Sequence, residues 1–353
     1  MPDSVSRLVK AGLDVVVETG AGLHVHISDE AFEAAGASVS DRTGSDVFAG
    51  ADAVLHVSPL APAQAQRLDP GTVTAGLLAP TTNSAGIAAL RDARVTAFAL
   101  ELLPRISRAQ SMDALTSQAL VSGYRAALVA ADRLPTFFPL LMTAAGTIPP
   151  AKVLVLGAGV AGLQAIATAR RLGAVVEAYD VRPSSADEVR SMGAKFVELD
   201  LEALEGTGGY AREMSDDRAT RQRELLAPHV AAADAVITTA AVPGRTAPLL
   251  VTREMVEGMR PGSVVVDLAA ESGGNVEGSL PGEEIEIGGV LVWGARDVPS
   301  QLPVDASRLY ARNVADLLTL MTTDGVIAPD FEDEIVAGCW VTRDGSVRDG
   351  IAL

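Results

Sequence analysis

The stretch VLVLGAGVAGLQAIATARRLGAVVEAYD, residues 153–180, constrains the fold more than any other part of the chain. Its apolar run VLVL is too short and too β-branched to favour a helix. It leads at once into Gly157-Ala158-Gly159-Val160-Ala161-Gly162 and then into an Ala-rich helical segment ending near Gly173. The order is strand, tight turn, helix. Gly157 permits the turn, Gly159 lets the backbone approach a pyrophosphate with no Cβ in the way, and Gly162 lets the helix pack closely on the strand. The N–H groups at the start of that helix, near Val160, then face the phosphates. A second strand over residues 175–179 ends in Asp180, 23 residues after Gly157, where a carboxylate can accept hydrogen bonds from the adenosine ribose. Such a carboxylate repels a 2′-phosphate and points to NAD. Arg182 pulls the other way, because an arginine just past this strand can accept that phosphate.

Bulk properties narrow the partners. The 353 residues suffice for two domains of ordinary size, and 48% hydrophobic with 21% charged residues describes a folded globular chain. A net charge of −17 with no basic block disfavours nucleic acid and anionic membrane surfaces. Cys339 is the only cysteine, which excludes an internal disulfide and a cysteine-ligated metal, and suits a reducing cytoplasm. The N-terminus lacks an apolar signal core, and no run approaches the ~18 apolar residues of a membrane span, so a soluble protein is expected. His24, His26, His56 and His229 form no ligand constellation, so no metal is expected.

Around the fingerprint the chain alternates strand and helix. Ser4 can cap a first helix ending at Lys10; DVVVETGAG, AVLHVS, VTAGLLAP and VTAFALELLP read as strands with helical patterns between them. The polar loop 104–116, PRISRAQSMDALT, leads into a helix over about 116–133, and residues 134–149 read as an apolar connector. Arg105 and Asp113 in that loop fit a salt bridge with helix-capping neighbours as well as they fit a ligand-facing loop. After Asp180 come a helix over 185–192, the strand KFVEL, a polar helix over about 210–232, the strand AVITT, a helix at REMVEGM, the strand SVVVDL ending at Asp267, and VLVW at 290–293. Six short strands complete a doubly wound sheet. EIEIGGVLVWG reads as a hairpin and a candidate subunit contact, residues 301–322 as a helix returning to the first domain, and Asp344-Gly345 as a last tight turn. The expected architecture is α/β: two Rossmann-like domains with doubly wound parallel sheets, residues 1–119 plus 301–353 and residues 120–300, with a ligand cleft between them.

The segments PRISRAQSMDAL, VLGAGVAGLQAIATARRLGA, RSMGAKFVELD, GGYAREM, TREMVEGMRPGSVVVDLAAESGGN and DVPSQLP together resemble, over nearly the whole chain, the soluble NAD(H)-binding component (domain I, alpha subunit) of proton-translocating NAD(P) transhydrogenase. That family is related to alanine dehydrogenase. PRISRAQ-x-x-D and GGYA are specific to the transhydrogenases, whereas the glycine fingerprint is not. The resemblance implies that Arg105, Gln110 and Asp113 position the nicotinamide and its ribose, with Thr116 standing where the family usually has serine. It implies that Gly157, Gly159, Val160 and Gly162 form the pyrophosphate turn, and that Asp180, Val181 and Arg182 form the adenosine-ribose strand end. Gly209 and Tyr210 fall in what resembles a mobile loop closing over nucleotide, and Gln222 and Ala241 match positions lining the adenine and ribose side.

The implied function is direct hydride transfer between NAD(H) bound here and NADP(H) held by a partner subunit, of the Si/Re-specific type, coupled to proton translocation by a membrane domain. The implied assembly is a homodimer on the cytoplasmic side of the inner or plasma membrane, contacting a membrane-bound NADP-binding beta subunit around Gln110 and Tyr210. Two alternatives make different demands. Alanine dehydrogenase needs a lysine where this chain has His56, a histidine that TAGLLAPTTNSAG lacks, and an aspartate where Glu271 stands. A non-catalytic NAD-binding module would keep affinity without transfer. The family normally opens with a strand and a basic loop ahead of the first helix, whereas this chain begins at that helix, so a start codon further upstream is expected.

Overall fold

The computed structural model describes residues 1–42, 47–201, 216–241 and 244–351. Gly209 and Tyr210 of the expected lid lie outside the described residues. The chain divides into two compact units, Met1–Gln118 with Pro303–Leu353, and Ala119–Leu302. No helix among the described residues is long and apolar enough to cross a membrane.

The second unit is built on a seven-stranded sheet in the order Lys195–Phe196, Val175–Tyr179, Lys152–Leu156, Ala235–Thr238, Val264–Asp267, Val290–Gly294, Glu284–Ile287. The first six are parallel and the last runs antiparallel. In chain order the parallel strands read 3-2-1-4-5-6, the dinucleotide-binding arrangement with its switch point at the first strand. The apolar run 153–156 behaves as a fully covered central strand must. Val153 and Val155 pack with Ala165, Ile166 and Ala169 of the helix Val160–Arg171 on one face, while Leu154 and Leu156 pack with Leu226 and Val230 of the helix Asp216–Ala232 on the other. The edge hairpin turns at Gly288-Gly289 with φ of 59° and 83°, a two-residue turn for which glycine is the ready choice.

The first unit also has helices on both faces of its sheet, but the sheet is mixed rather than wholly parallel. Its five strands run Ser346–Val347, Trp340–Arg343, Thr96–Ala99, Val73–Gly76, Ala53–Leu55, of which only the last three are parallel. The other two are the antiparallel hairpin at Asp344-Gly345, returning from the far end of the chain. Val16–Glu18 pairs in parallel with Ser38–Ser40 as a separate two-stranded sheet. Val73, Ala75 and Phe98 pack under the helix Pro303–Leu320, whose Val314, Leu317 and Leu318 fill that core; Val54, Ala97 and Ala99 face Ile87 and Leu90 on the other side.

Two local expectations are corrected. The first helix is Pro2–Lys10 with Met1 at its N-cap, because Pro2 fits the first helical position, whose N–H has no helical partner anyway; Ser4 lies inside it. The connector 134–149 contains a hairpin, Leu141–Thr143 with Gly146–Ile148, whose Met142 is 75% exposed.

Candidate functional site

The expected residues fall in both units, and each group has its own geometry. In the second unit, Lys152–Leu156 ends in Gly157, whose φ of 104° lies in the left-handed region. A Cβ on Gly157 would stand 2.6 Å from Thr239 Oγ1, which itself donates to the Gly157 carbonyl at 3.1 Å. Gly162 is tighter still: its Cβ would lie 1.9 Å from Gly157 O. Gly159 differs. It caps the helix Val160–Arg171 in extended backbone, φ −76° and ψ −170°, and a Cβ there would meet nothing within 4 Å. Two glycines therefore serve packing, and the third keeps open the space in front of a helix N-terminus. Val160 stands beside that opening and is exposed.

Asp180 closes the adjoining strand end. Its Oδ2 accepts from the Ala158 N–H at 2.8 Å, tying the acid to the glycine turn. Its Oδ1 accepts from both the backbone N–H and Nε of Arg182 at 2.9 Å, and Arg182 Nη2 reaches Oδ2 at 3.0 Å. The two residues that pointed to opposite cofactors thus form one ion pair, in which the guanidinium is held above its ordinary range first by its hydrogen bond to Asp180. Val181 packs against the apolar cluster behind the strand. Gln222 is buried, and its Oε1 accepts from the Tyr179 hydroxyl at 3.3 Å, so it meets the site through the residue preceding Asp180. Burial lifts the Tyr179 phenol to about 12.

Ala241 follows Ala240, whose N–H donates to Asn275 Oδ1 at 3.0 Å and whose carbonyl accepts from Asn275 Nδ2 at 2.8 Å. Asn275 also holds the Pro248 carbonyl, and its own N–H donates to Asp267. Asp267 is completely buried at the end of its strand and accepts from Thr238 Oγ1 and from the N–H groups of Ala269, Asn275 and Val276. Sequence reasoning stopped at Asp267 as a strand end. The signal it passed over was a lone acid closing an all-valine strand, which burial obliges to find donors, followed by Gly273-Gly274-Asn275. Both glycines have positive φ, which turns the chain back onto the carboxylate.

In the first unit, Arg105 and Gln110 are exposed on a loop whose turn Ser107–Met112 is pinned into the core by Ala109 and Met112. Asp113 and Thr116 are bonded to one another: Oδ1 accepts the Thr116 N–H at 2.8 Å and Oδ2 the Thr116 hydroxyl at 2.6 Å. This caps the helix Ala114–Arg133. Arg108 Nη1 donates to Asp333 Oδ2 at 2.7 Å, fixing the loop to the start of the helix Glu334–Cys339. Elsewhere in this unit, the His56 ring lies against Gly76, with Nδ1 2.9 Å from the Ser58 carbonyl. A carbonyl only accepts, so Nδ1 carries the proton, and burial brings the imidazole pKa down to about 4.

The sequence matches the alanine dehydrogenase/PNT N-terminal domain over residues 1–122 and the C-terminal domain of the same family over residues 126–350. The chain belongs to the alanine dehydrogenase/PNT family. Within it, the chain is 45% identical to an NAD(P) transhydrogenase subunit alpha chain of Rhodospirillum rubrum, over 98% of this chain and 92% of that one. It is 33% identical to an alanine dehydrogenase of Mycobacterium tuberculosis, over 79% of this chain and 70% of that one. Among solved structures, the transhydrogenase from Sinorhizobium meliloti superposes with a TM-score of 0.85 at 44% identity, covering 98% of this chain and 93% of that one. An L-alanine dehydrogenase superposes with a TM-score of 0.80 at 25% identity, covering 98% and 91%. The α/β fold with its parallel sheets is the family's.

Proposed function

We propose that the chain is the NAD(H)-binding subunit of a proton-translocating NAD(P) transhydrogenase, passing hydride directly to NADP held by a partner subunit. The observation that carries this reading is the 45% identity to a transhydrogenase alpha subunit over 98% of the chain. The second unit supports it with an opening at Gly159, which a Cβ would fill, in front of a helix N-terminus and beside Asp180.

In this reading the amides after Gly159 hold the pyrophosphate. Asp180 receives the adenosine ribose hydroxyls, for which Arg182 must give up at least one of its hydrogen bonds. The bound nicotinamide supplies the hydride, so no proton moves at the reacting carbons and no general acid is required. Arg105, Gln110, Asp113 and Thr116 then act by position, bonding the carboxamide and ribose. Thr116 already orients the Asp113 carboxylate, leaving lone pairs on both oxygens for ribose hydroxyls. Gln222 and Ala241 support the adenosine side, and the expected role of Gly209 and Tyr210 falls on residues outside those described. Proton movement belongs to membrane-bound partner subunits; the chain acts as a homodimer on the cytoplasmic face of that assembly.

The test is a stopped-flow hydride-transfer assay: purified chain with an oxidisable NADH analogue, mixed with a recombinant transhydrogenase NADP-binding domain carrying NADP. Transfer that needs both proteins supports the reading. Intact NADH binding without transfer identifies a silent binding module, and NADH oxidation by pyruvate with ammonium would assign the alanine dehydrogenase reaction instead.

A further inference from the structure

The helix Pro303–Leu320 crosses the core of the first unit, yet three of its core-facing side chains are polar: Tyr310, Asn313 and Asp316, each no more than 7% exposed. Their spacing of three places them along one stripe of the helix. Burying such groups is costly without partners, and each has found one in a different part of the chain. The Tyr310 hydroxyl donates to the His56 carbonyl at 2.7 Å and accepts from the Leu77 N–H at 3.2 Å. Asp316 pairs with Arg7 of the first helix. Asn313 reaches the loop that carries Gln110 and Asp113.

Asn313 Nδ2 donates to the Ser111 carbonyl at 2.8 Å, and its Oδ1 accepts from the Ser117 hydroxyl at 2.7 Å. One amide thus grips the loop immediately after Gln110 and the first turn of the helix immediately after Thr116. Asp113 lies in the span between the two grips. On the other side of Gln110, the Arg108–Asp333 pair supplies a second anchor from the same C-terminal part of the chain. Gln110 itself stays exposed between two residues whose positions are fixed by partners 202 and 225 positions away in sequence.

We propose that Asn313 is a positioning residue for hydride transfer: through Ser111 and Ser117 it sets where Gln110 and Asp113 meet the nicotinamide end of the nucleotide, while touching neither nucleotide itself. This rests on the transhydrogenase reading. The residues proposed to hold the adenosine side belong to the second unit and make no bond to Asn313, so disturbing Asn313 should cost rate and spare affinity. A misplacement near 1 Å remote from the chemistry can lower a rate about 100-fold.

The experiment uses the full chain as wild type, Asn313→Asp and Tyr310→Phe. Asn313→Asp keeps the acceptor for Ser117 and turns an oxygen toward the Ser111 carbonyl. Tyr310→Phe removes a comparable buried hydrogen bond from the same helix, away from the loop. For each, three quantities are measured: the hydride-transfer rate per folded molecule against the NADP-loaded partner domain, the NADH Kd by fluorescence, and thermal stability. The expected result for Asn313→Asp is a rate lowered about 10- to 100-fold with the NADH Kd changed less than about threefold. Tyr310→Phe should lose stability while keeping its rate per folded molecule. If Asn313→Asp fails to fold, Asn313→Ser, which keeps a polar group too short to reach Ser111, takes its place with the same expectation. A rate within twofold of wild type overturns the proposal, and so does a rate loss that Tyr310→Phe shares. A wild-type chain that binds NADH and passes no hydride sinks the functional reading and this one together, whereas an active wild type with an equally active Asn313→Asp sinks this one alone.

Discussion

Replacing Gly159 and Gly162 by alanine, one at a time, should separate binding from folding within a single turn. At Gly159 the backbone is extended and an added Cβ meets nothing within 4 Å. Two small effects then oppose each other: restricting the unfolded chain favours the variant by about 0.4–1 kcal/mol, and alanine is the poorer N-cap by a similar amount. The net change in stability should stay within about 1 kcal/mol. The same methyl group, however, stands where a pyrophosphate would approach the helix amides, so NADH affinity should fall at least about tenfold, or about 1.4 kcal/mol. At Gly162 the Cβ would sit 1.9 Å from Gly157 O and 2.8 Å from Gly157 C, both backbone atoms of a turn that Thr239 also holds. A contact of ordinary length there needs the helix to move by well over about 1 Å, for which overpacking data suggest a loss on the order of 3 kcal/mol. Urea unfolding followed by circular dichroism gives the stabilities, and NADH fluorescence titration gives the affinities. The reasoning fails if Gly159→Ala binds NADH as the wild type does, or if Gly162→Ala is as stable as the wild type.

Other substitutions probe the remaining pieces. Asp113→Ser keeps a capping oxygen and should hold stability, whereas Asp113→Ala should lose about 1 kcal/mol; both should slow hydride transfer, and a wild-type rate in Asp113→Ser would reduce Asp113 to a cap. Asp267→Ala strands one hydroxyl and three backbone donors in a fully buried pocket, which at about 1 kcal/mol each amounts to roughly 4 kcal/mol in urea unfolding; a loss under about 1 kcal/mol would contradict the network. His56 titrates near 4 when folded, below its ordinary value of 6.5, so the unfolded chain binds more protons between those pH values. Its contribution to stability is present above about pH 6.5 and is lost as pH falls toward 4, by about 2 kcal/mol at pH 5. Burial raises the nearby Glu101 carboxyl, which works in the opposite sense. The difference in unfolding free energy between wild type and His56→Gln, measured at pH 7 and pH 5, isolates the histidine, and equal slopes would refute its assignment.

What could be read from the sequence is what is local. The strand, turn and helix of the fingerprint are specified within 28 residues, and the tight turn at Gly157 and close helix packing at Gly162 are what the spacing predicts. Gly288-Gly289 and Asp344-Gly345 were equally readable, because a two-residue hairpin turn needs positive φ. The first unit's three parallel strands were readable too, but the antiparallel strands that complete their sheet were not. Thr96–Ala99 is completed by Trp340–Arg343, more than 200 residues later, and neither segment carries a mark naming its partner or its direction. The same blindness hid Asp267 and Asn275, whose roles consist of hydrogen bonds to four separate segments. Asp180 and Arg182 were read as rivals. Only the folded chain shows that the Arg182 guanidinium and two backbone N–H groups, those of Ala158 and Arg182, share the Asp180 carboxylate.

The two groups of expected residues, one in each unit, are held by different segments of the chain and so have different vulnerabilities. In the second unit, Ala158 and Arg182 hold Asp180 from 22 and 2 positions away in sequence, and Thr239 holds Gly157 from 82 positions away. The loop of Arg105 and Gln110 is anchored by Asp333 and Asn313, both contributed by the segment that returns to the first unit after residue 302. Changes in that C-terminal segment should therefore disturb hydride transfer while leaving nucleotide affinity intact, and changes around residues 157–182 should do the reverse. The division also bears on the family. The glycine fingerprint is common to transhydrogenases and alanine dehydrogenases, so it cannot tell a chain that hands hydride to a second nucleotide from one that hands it to an imine. Of the features that separate the two readings here, the PRISRAQ loop and His56 in place of a lysine lie in the first unit, whereas GGYA and Glu271 lie in the second. Binding of NADH therefore tests the fingerprint common to both enzymes, and the reaction itself has to be assigned by a hydride-transfer assay of the full chain.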